Sequence, residues 1–124
     1  MNSETVFLRI ENISKSYSNG VHALQNISLT IPPGMYGLLG PNGAGKSTTI
    51  NMLINLTHPT SGQIEIFGKN SEAEGQDIRR DIGFLASDMS MDGHLTGREQ
   101  VGYFANLRGN YDKKYVHELA ERLD

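Results

Sequence analysis

The sequence predicts an α/β fold: a small antiparallel sheet region, then a strand–loop–helix unit, then two helices. Three observations carry this prediction. Two stretches near the start alternate apolar and polar residues. A short apolar run without alternation leads into a glycine-rich loop and then a helical pattern. Residues 95–124 hold two patterns of helical period, each with its own start signal.

In residues 5–12, Val6, Leu8 and Ile10 alternate with Phe7, Arg9 and Glu11, the pattern of a half-buried strand. Asn19-Gly20 marks a tight turn, because both residues accept positive φ. A second alternation, Ile27, Leu29 and Ile31, ends at Pro32-Pro33-Gly34, since proline has no donor for a ladder. Residues 1–34 are therefore expected to form an antiparallel β region. Met35-Tyr36-Gly37-Leu38-Leu39 is short, unalternating and bounded by turn residues, which predicts a strand buried on both faces in a parallel sheet.

A helix is expected from about Lys46, with Ile50, Leu53, Ile54 and Thr57 on one face. It should stop near His58, because Pro59 disfavours the α region in the residue before it. Residues 35–58 thus read as strand, loop and helix. Thr60-Ser61-Gly62 turns the chain, and residues 63–67 and 81–85 are expected to supply further strands within 63–85. The polar, acidic segment 70–76 between them reads as a surface loop or short helix, and residues 87–93 as a loop. Thr96 and Glu99 form a capping box, so a helix begins there with Gly97, Val101, Phe104 and Ala105 inward and Gly109-Asn110 at its end. Asp112 caps a last helix, on which Val116, Leu119, Ala120 and Leu123 make one apolar stripe. No internal repeat or low-complexity linker interrupts the chain.

Composition narrows the function classes. The chain has 124 residues, the length of one small domain. A hydrophobic content of 37% and 14 glycines exclude wholesale disorder. Eleven basic and fourteen acidic side chains leave a charge of −3, which gives no electrostatic footprint for nucleic acid or an anionic membrane. With no cysteine there are no disulfides, thiolate zinc sites or cysteine nucleophile. No apolar run has the length of a membrane span, and Met1-Asn2-Ser3-Glu4 lacks a basic and an apolar leader region. A cytoplasmic location without direct membrane insertion is expected.

The chemistry lies in Gly40-Pro41-Asn42-Gly43-Ala44-Gly45-Lys46-Ser47, which matches G-x-x-x-x-G-K-[ST]. The glycines let the backbone curl so that successive N–H groups form an anion nest. The helix from Lys46 presents its free N–H groups and positive dipole end to the same phosphates. Lys46 reaches the outer phosphates as a point charge. Ser47 is placed to ligate a Mg²⁺ that bridges them, and Thr48 offers one more hydroxyl to an inner phosphate. From composition alone, a chance match anywhere in the chain is roughly one in a hundred. The bland reading is a glycine-rich turn with an exposed lysine.

Beyond this motif the chain resembles the N-terminal half of an ABC (ATP-binding cassette) transporter ATPase. Ile13-Ser14-Lys15-Ser16-Tyr17 and Ala23-Leu24-Gln25-Asn26-Ile27-Ser28-Leu29 are similar to the opening of that family. Gly40-Pro41-Asn42-Gly43-Ala44-Gly45-Lys46-Ser47-Thr48-Thr49 is close to its phosphate loop. Pro59-Thr60-Ser61-Gly62, Ile82-Gly83-Phe84-Leu85 and Leu95-Thr96-Gly97-Arg98-Glu99 follow in the family's order.

The resemblance implies a P-loop NTPase fold of the ABC ATPase type, with an antiparallel β subdomain and an incomplete helical subdomain. It implies ATP and Mg²⁺ as ligands. Gly40, Pro41, Asn42, Gly43, Ala44, Gly45, Lys46, Ser47 and Thr48 would hold the phosphates, and Ser47 the metal. Tyr17 would stack on adenine, a contact with little base discrimination; the plain alternative is a tyrosine packed at a strand end. A transmembrane transporter subunit and a second ATP-binding subunit are the implied partners, with a peripheral place at the inner membrane face. In a complete protein, ATP hydrolysis would drive transport.

Two departures matter. Where the family usually has glutamine, this chain has Ala86-Ser87-Asp88. Ser87 is too short to take over, and Asp88 is an alternative oxygen ligand beside a plain loop reading. The family's L-S-G-G-Q-like signature, its apolar strand ending in Asp-Glu and its switch histidine have no match in these residues. His22, His58, His94 and His117 stand elsewhere and read as scattered surface histidines. The stretch therefore reads as truncated, without the carboxylate that orients the attacking water, and no residue is assigned a catalytic role. Arg79-Arg80 and Lys113-Lys114 read as solvated, and Tyr103 and Phe104 as core packing or a partner face. Two alternatives stand: a nucleotide-binding module without turnover, and another P-loop enzyme such as a small-molecule kinase. Against the kinase, about forty residues precede the phosphate loop, whereas such kinases open with it.

Overall fold

The computed structural model describes residues 6–109 and 111–123. The expectations that fall on Met1, Asn2, Ser3, Glu4, Thr5, Asn110 and Asp124 lie outside the described residues. The chain divides into two compact units, Met1–Phe84 and Leu85–Asp124.

The first unit is built on one four-stranded antiparallel sheet of order β2-β1-β3-β4, with β1 spanning Leu8–Ser16, β2 His22–Ile31, β3 Ser61–Ile66 and β4 Lys69–Asn70. The alternation in β1 works as the sequence predicts as far as Ile10. Leu8 and Ile10 are buried and pair with Ile66 and Ile64 of β3. Then Asn12 takes a left-handed conformation (φ 49°), and the register shifts so that Ile13, three residues on from Ile10, is also buried. Such a bulge costs ladder bonds. Side chains replace them: the Asn12 N–H donates to Ser28 Oγ at 2.9 Å, and the Asn26 N–H to Ser14 Oγ at 2.9 Å.

Leu8, Ile10, Ile13, Leu24, Met52, Ile64, Ile66 and Ile78 form the core. Full burial of an aliphatic side chain is worth about 1.5–3 kcal/mol, so this cluster carries the unit. Ile27 and Leu29, the partners of Ile13 and Ile10 across the ladder, stay exposed on the edge strand β2, whereas Leu24 of the same strand is buried. At the far end Phe7 and Phe67 meet edge to face, with centroids 4.7 Å apart.

Several expectations are corrected. Residues 35–39 form no strand. The sheet is wholly antiparallel, no neighbour pairs with this run among the described residues, and Met35 and Leu39 are 100% and 92% exposed. A strand buried on both faces needs neighbours that this unit does not place there. Residues 81–85 form no strand either. Helix α2, Gly75–Asp81, takes Asp81 as its last residue and buries Ile78, after which Ile82 is extended and Phe84 and Leu85 are exposed. Helix α1, Lys46–Leu53, ends earlier than Pro59 alone would require. Asn55, left-handed at φ 59°, breaks it first, and Met52 rather than the predicted face is its deeply buried residue.

The second unit holds α3, Gly97–Arg108, and α4, Lys113–Leu123. The predicted capping box is present: the Glu99 N–H donates to Thr96 Oγ1 at 3.3 Å and the Thr96 N–H to Glu99 Oε2 at 2.7 Å. Asp112 Oδ1 accepts from the Tyr115 N–H at 3.0 Å, the predicted cap of α4. The inner faces are less buried than expected. Gly102 is buried, Val101 and Phe104 are half exposed, and no residue of α4 is fully buried.

Candidate functional site

The loop of residues 40–45 is shaped by two glycines. Gly43 and Gly45 stand at φ 83° and 94°, where a side chain is strained. Gly45 also has no room for one. A Cβ there would lie 2.6 Å from Leu24 Cδ2 and 2.8 Å from the Ala23 carbonyl, so the loop is pressed against the start of β2. The Ala44 N–H donates to the Pro41 carbonyl at 3.1 Å and closes the preceding turn.

Helix α1 begins directly after Gly45. The Gly45 carbonyl accepts from the Thr49 N–H at 2.9 Å and from Thr49 Oγ1 at 2.8 Å. This second bond is a role the sequence reading missed, although a Thr four residues after a helix start is a known back-bonding position. No side chain caps the helix, and among the described residues the N–H groups of Lys46, Ser47 and Thr48 have no acceptor. Three unpaired donors at a helix start, beneath a positive dipole end, form an arrangement that accommodates an anion.

The side chains follow the helix. Lys46, at its first position, is half-buried and donates through Nζ to the Gly40 carbonyl and, at 3.1 Å, to the Pro41 carbonyl. The ammonium is thus folded over the loop it would serve. Ser47 is exposed and its hydroxyl has no partner among the described residues; Thr48 is half-buried. Gly40, Pro41, Asn42, Gly43 and Ala44 are all exposed.

Tyr17 is carried by the end of β1. Its N–H donates to the Val21 carbonyl at 2.9 Å and its carbonyl accepts from the Gly20 N–H at 3.0 Å, so it opens the hydrogen-bonded turn that Asn19-Gly20 signals. The residue is 42% exposed. Register ties this turn to the phosphate loop: Lys15 and Ser16 pair with Leu24 and His22, and Leu24 is the side chain packed on Gly45. Strand β2 thus borders both the end of β1 that precedes Tyr17 and the loop at Gly45.

Ser87 and Asp88 lie in an exposed turn of the second unit. The four histidines are exposed; His22 Nδ1 lies 2.8 Å from Ser16 Oγ, and His117 Nε2 lies 3.2 Å from Glu121. Within the second unit a groove of about 890 Å³ runs between α3 and α4, lined by Val101, Val116, Leu119 and Leu123 among others. None of the phosphate-loop residues lines it. Among the described residues no helix is long and apolar enough to cross a membrane.

Comparison with known proteins gives the family and the fold. Residues 24–124 match the ABC transporter family. The chain is 39% identical over 107 residues to the daunorubicin/doxorubicin resistance ATP-binding protein DrrA of Streptomyces peucetius, covering 86% of this chain and 32% of that protein. It is 36% identical over 118 residues to the bacitracin transport ATP-binding protein BcrA of Bacillus licheniformis, covering 94% and 38%. Among solved structures, an ATP-binding subunit of an ABC transporter superposes with a TM-score of 0.74 at 28% identity, covering 90% of this chain and 46% of that one. A dimeric ATP-binding cassette in a post-hydrolysis state with ADP and Pi gives 0.73 at 30% identity, covering 88% and 52%. The chain belongs to the ABC transporter family and has the α/β fold of its ATP-binding cassettes. It spans about a third of the length of these curated relatives.

Proposed function

We propose that residues 40–48 bind the triphosphate of ATP, and that the chain is part of the ATP-binding subunit of an ABC transporter. One observation carries this reading: the unpaired N–H groups of Lys46, Ser47 and Thr48 stand at a helix start that Gly45 alone can shape. They and the Gly43 and Gly45 backbone cradle the phosphates, with Gly40, Pro41, Asn42 and Ala44 forming the near wall. Lys46 exchanges its carbonyl partners for phosphate oxygens and neutralises their charge.

The residues present also fit Mg²⁺. Ser47 offers an unpartnered hydroxyl oxygen next to the anion nest, a hard donor of the kind this ion takes. When bound, the ion draws charge from the outer phosphates. Tyr17 stacks on the adenine ring.

Hydrolysis and transport belong to the whole protein under this proposal. The names of DrrA and BcrA, a drug-resistance and a bacitracin-transport ATP-binding protein, support coupling to a transmembrane subunit. A dimeric cassette among the structural relatives supports pairing with a second ATP-binding subunit. Such a subunit sits peripherally at the cytoplasmic membrane face. None of the 124 residues is assigned the task of activating water. The test is titration of a fluorescent ATP analogue with Mg²⁺ into the chain and into Lys46→Ala. Loss of a desolvated charge-assisted contact costs about 2–5 kcal/mol, so Lys46→Ala should bind at least tenfold more weakly. Equal affinities would refute the assignment.

A further inference from the structure

Tyr17 is not a free aromatic on a loop. Lys15 Nζ lies over its ring, 5.2 Å from the centroid. The same ammonium donates to the His58 carbonyl at 2.6 Å. That carbonyl belongs to the segment just beyond α1, where the following Pro59 holds His58 out of the helical region. Two more bonds fix the strand end on which both side chains stand. The Ser16 N–H donates to Thr60 Oγ1 at 3.0 Å, and the Thr60 N–H donates to the Ser14 carbonyl at 2.8 Å. The aromatic turn is thereby clasped to the chain that leaves the phosphate-loop helix.

From this geometry we propose that Lys15 is a positioning residue for nucleotide binding: anchored on His58, it covers one face of the Tyr17 ring and leaves the other face for the base. A cation held over a ring face is attracted by the ring quadrupole. A ring seated in this way does not have to be ordered when the base arrives, so part of the stacking cost is met before binding. Lys15 touches neither base nor phosphate in this role. Its effect passes through Tyr17, and it is confined to ligands that carry a base.

The inference rests on the nucleotide reading given above, and the test separates the two. Calorimetric titrations compare ATP with inorganic triphosphate, both with Mg²⁺, on the intact chain, Lys15→Met, Tyr17→Ala and the double variant. An exposed cation–π contact is worth about 0.5–1 kcal/mol, which converts to a two- to fivefold weaker ATP affinity for Lys15→Met. Triphosphate affinity should not change, which also shows that the variant folds. Lys15→Arg, which keeps a cation over the ring, should restore ATP affinity. In the Tyr17→Ala background, Lys15→Met should have no further effect. Unchanged ATP affinity in Lys15→Met overturns the inference. So does an equal loss for ATP and triphosphate, or a full loss in the Tyr17→Ala background, since Lys15 would then act on the phosphates or the loop. If the intact chain binds neither ligand, the phosphate-loop reading itself falls.

Discussion

Gly45 shows how one residue ties chemistry to fold. Its positive φ starts α1, and its missing side chain lets β2 touch the loop. Gly45→Ala forces a left-handed alanine into contact with Leu24 and the Ala23 carbonyl. The conformational cost alone is about 1–2 kcal/mol, and the overlap adds to it. Urea unfolding should show a lower midpoint than the parent, and ATP affinity should fall with it. Tyr17 gives a cleaner division of roles. Stacking needs the ring and is worth about 1–3 kcal/mol, so Tyr17→Ala weakens ATP binding while Tyr17→Phe does not. Equal loss in both would mean that the phenol, not the ring, makes the contact. GTP should bind comparably, because a ring face does not read base edges. The loop was legible in the sequence because its residues are contiguous and each has a local reason. Thr49, Lys15 and Leu24 were not, because their partners at Gly45, His58 and again Gly45 are set by bonds and packing that only the folded chain reveals.

At the scale of elements, start signals read well and burial read poorly. The capping box of α3 is present as the sequence predicts, and it carries a pH dependence. Hydrogen bonds from the Thr96 backbone and side chain hold the Glu99 carboxyl below its ordinary pKa. A depressed carboxyl stabilises the helix above its unfolded pKa, and that contribution disappears as pH falls from there through the folded value. The Thr96 amide resonance should therefore shift in acid, below about pH 4.5, with the parent chain, and Glu99→Gln should remove that titration. A shift that persists in Glu99→Gln would assign it to another group. In β1 the alternation read from the sequence holds only to Ile10, because the left-handed Asn12 inserts a bulge that periodicity alone cannot reveal. Ile13, fully buried beyond it, is the position to test: Ile13→Ala should cost about 2–5 kcal/mol of stability by chemical denaturation.

For the whole molecule, apolar content and apolar burial are different quantities. Residues 35–39 read as a doubly buried strand, and the composition justifies that reading. Whether such a run is buried depends on neighbouring strands, and the described residues supply none. Met35, Leu39 and Leu85 therefore stand exposed, as do Ile27 and Leu29 on an edge strand. Exposed apolar runs and open edges favour association. Light scattering on the 124-residue chain should show oligomers; a monodisperse monomer would contradict this. The central claim is that the start of α1 holds phosphate. Its most direct test is an amide NMR titration with Mg²⁺ and ATP. The N–H resonances of Gly43, Gly45, Lys46, Ser47 and Thr48 should move downfield together in the parent chain, as unpaired donors gain charged acceptors, and should stay in place in Lys46→Ala. Binding that leaves these five resonances unmoved while others shift would contradict the account.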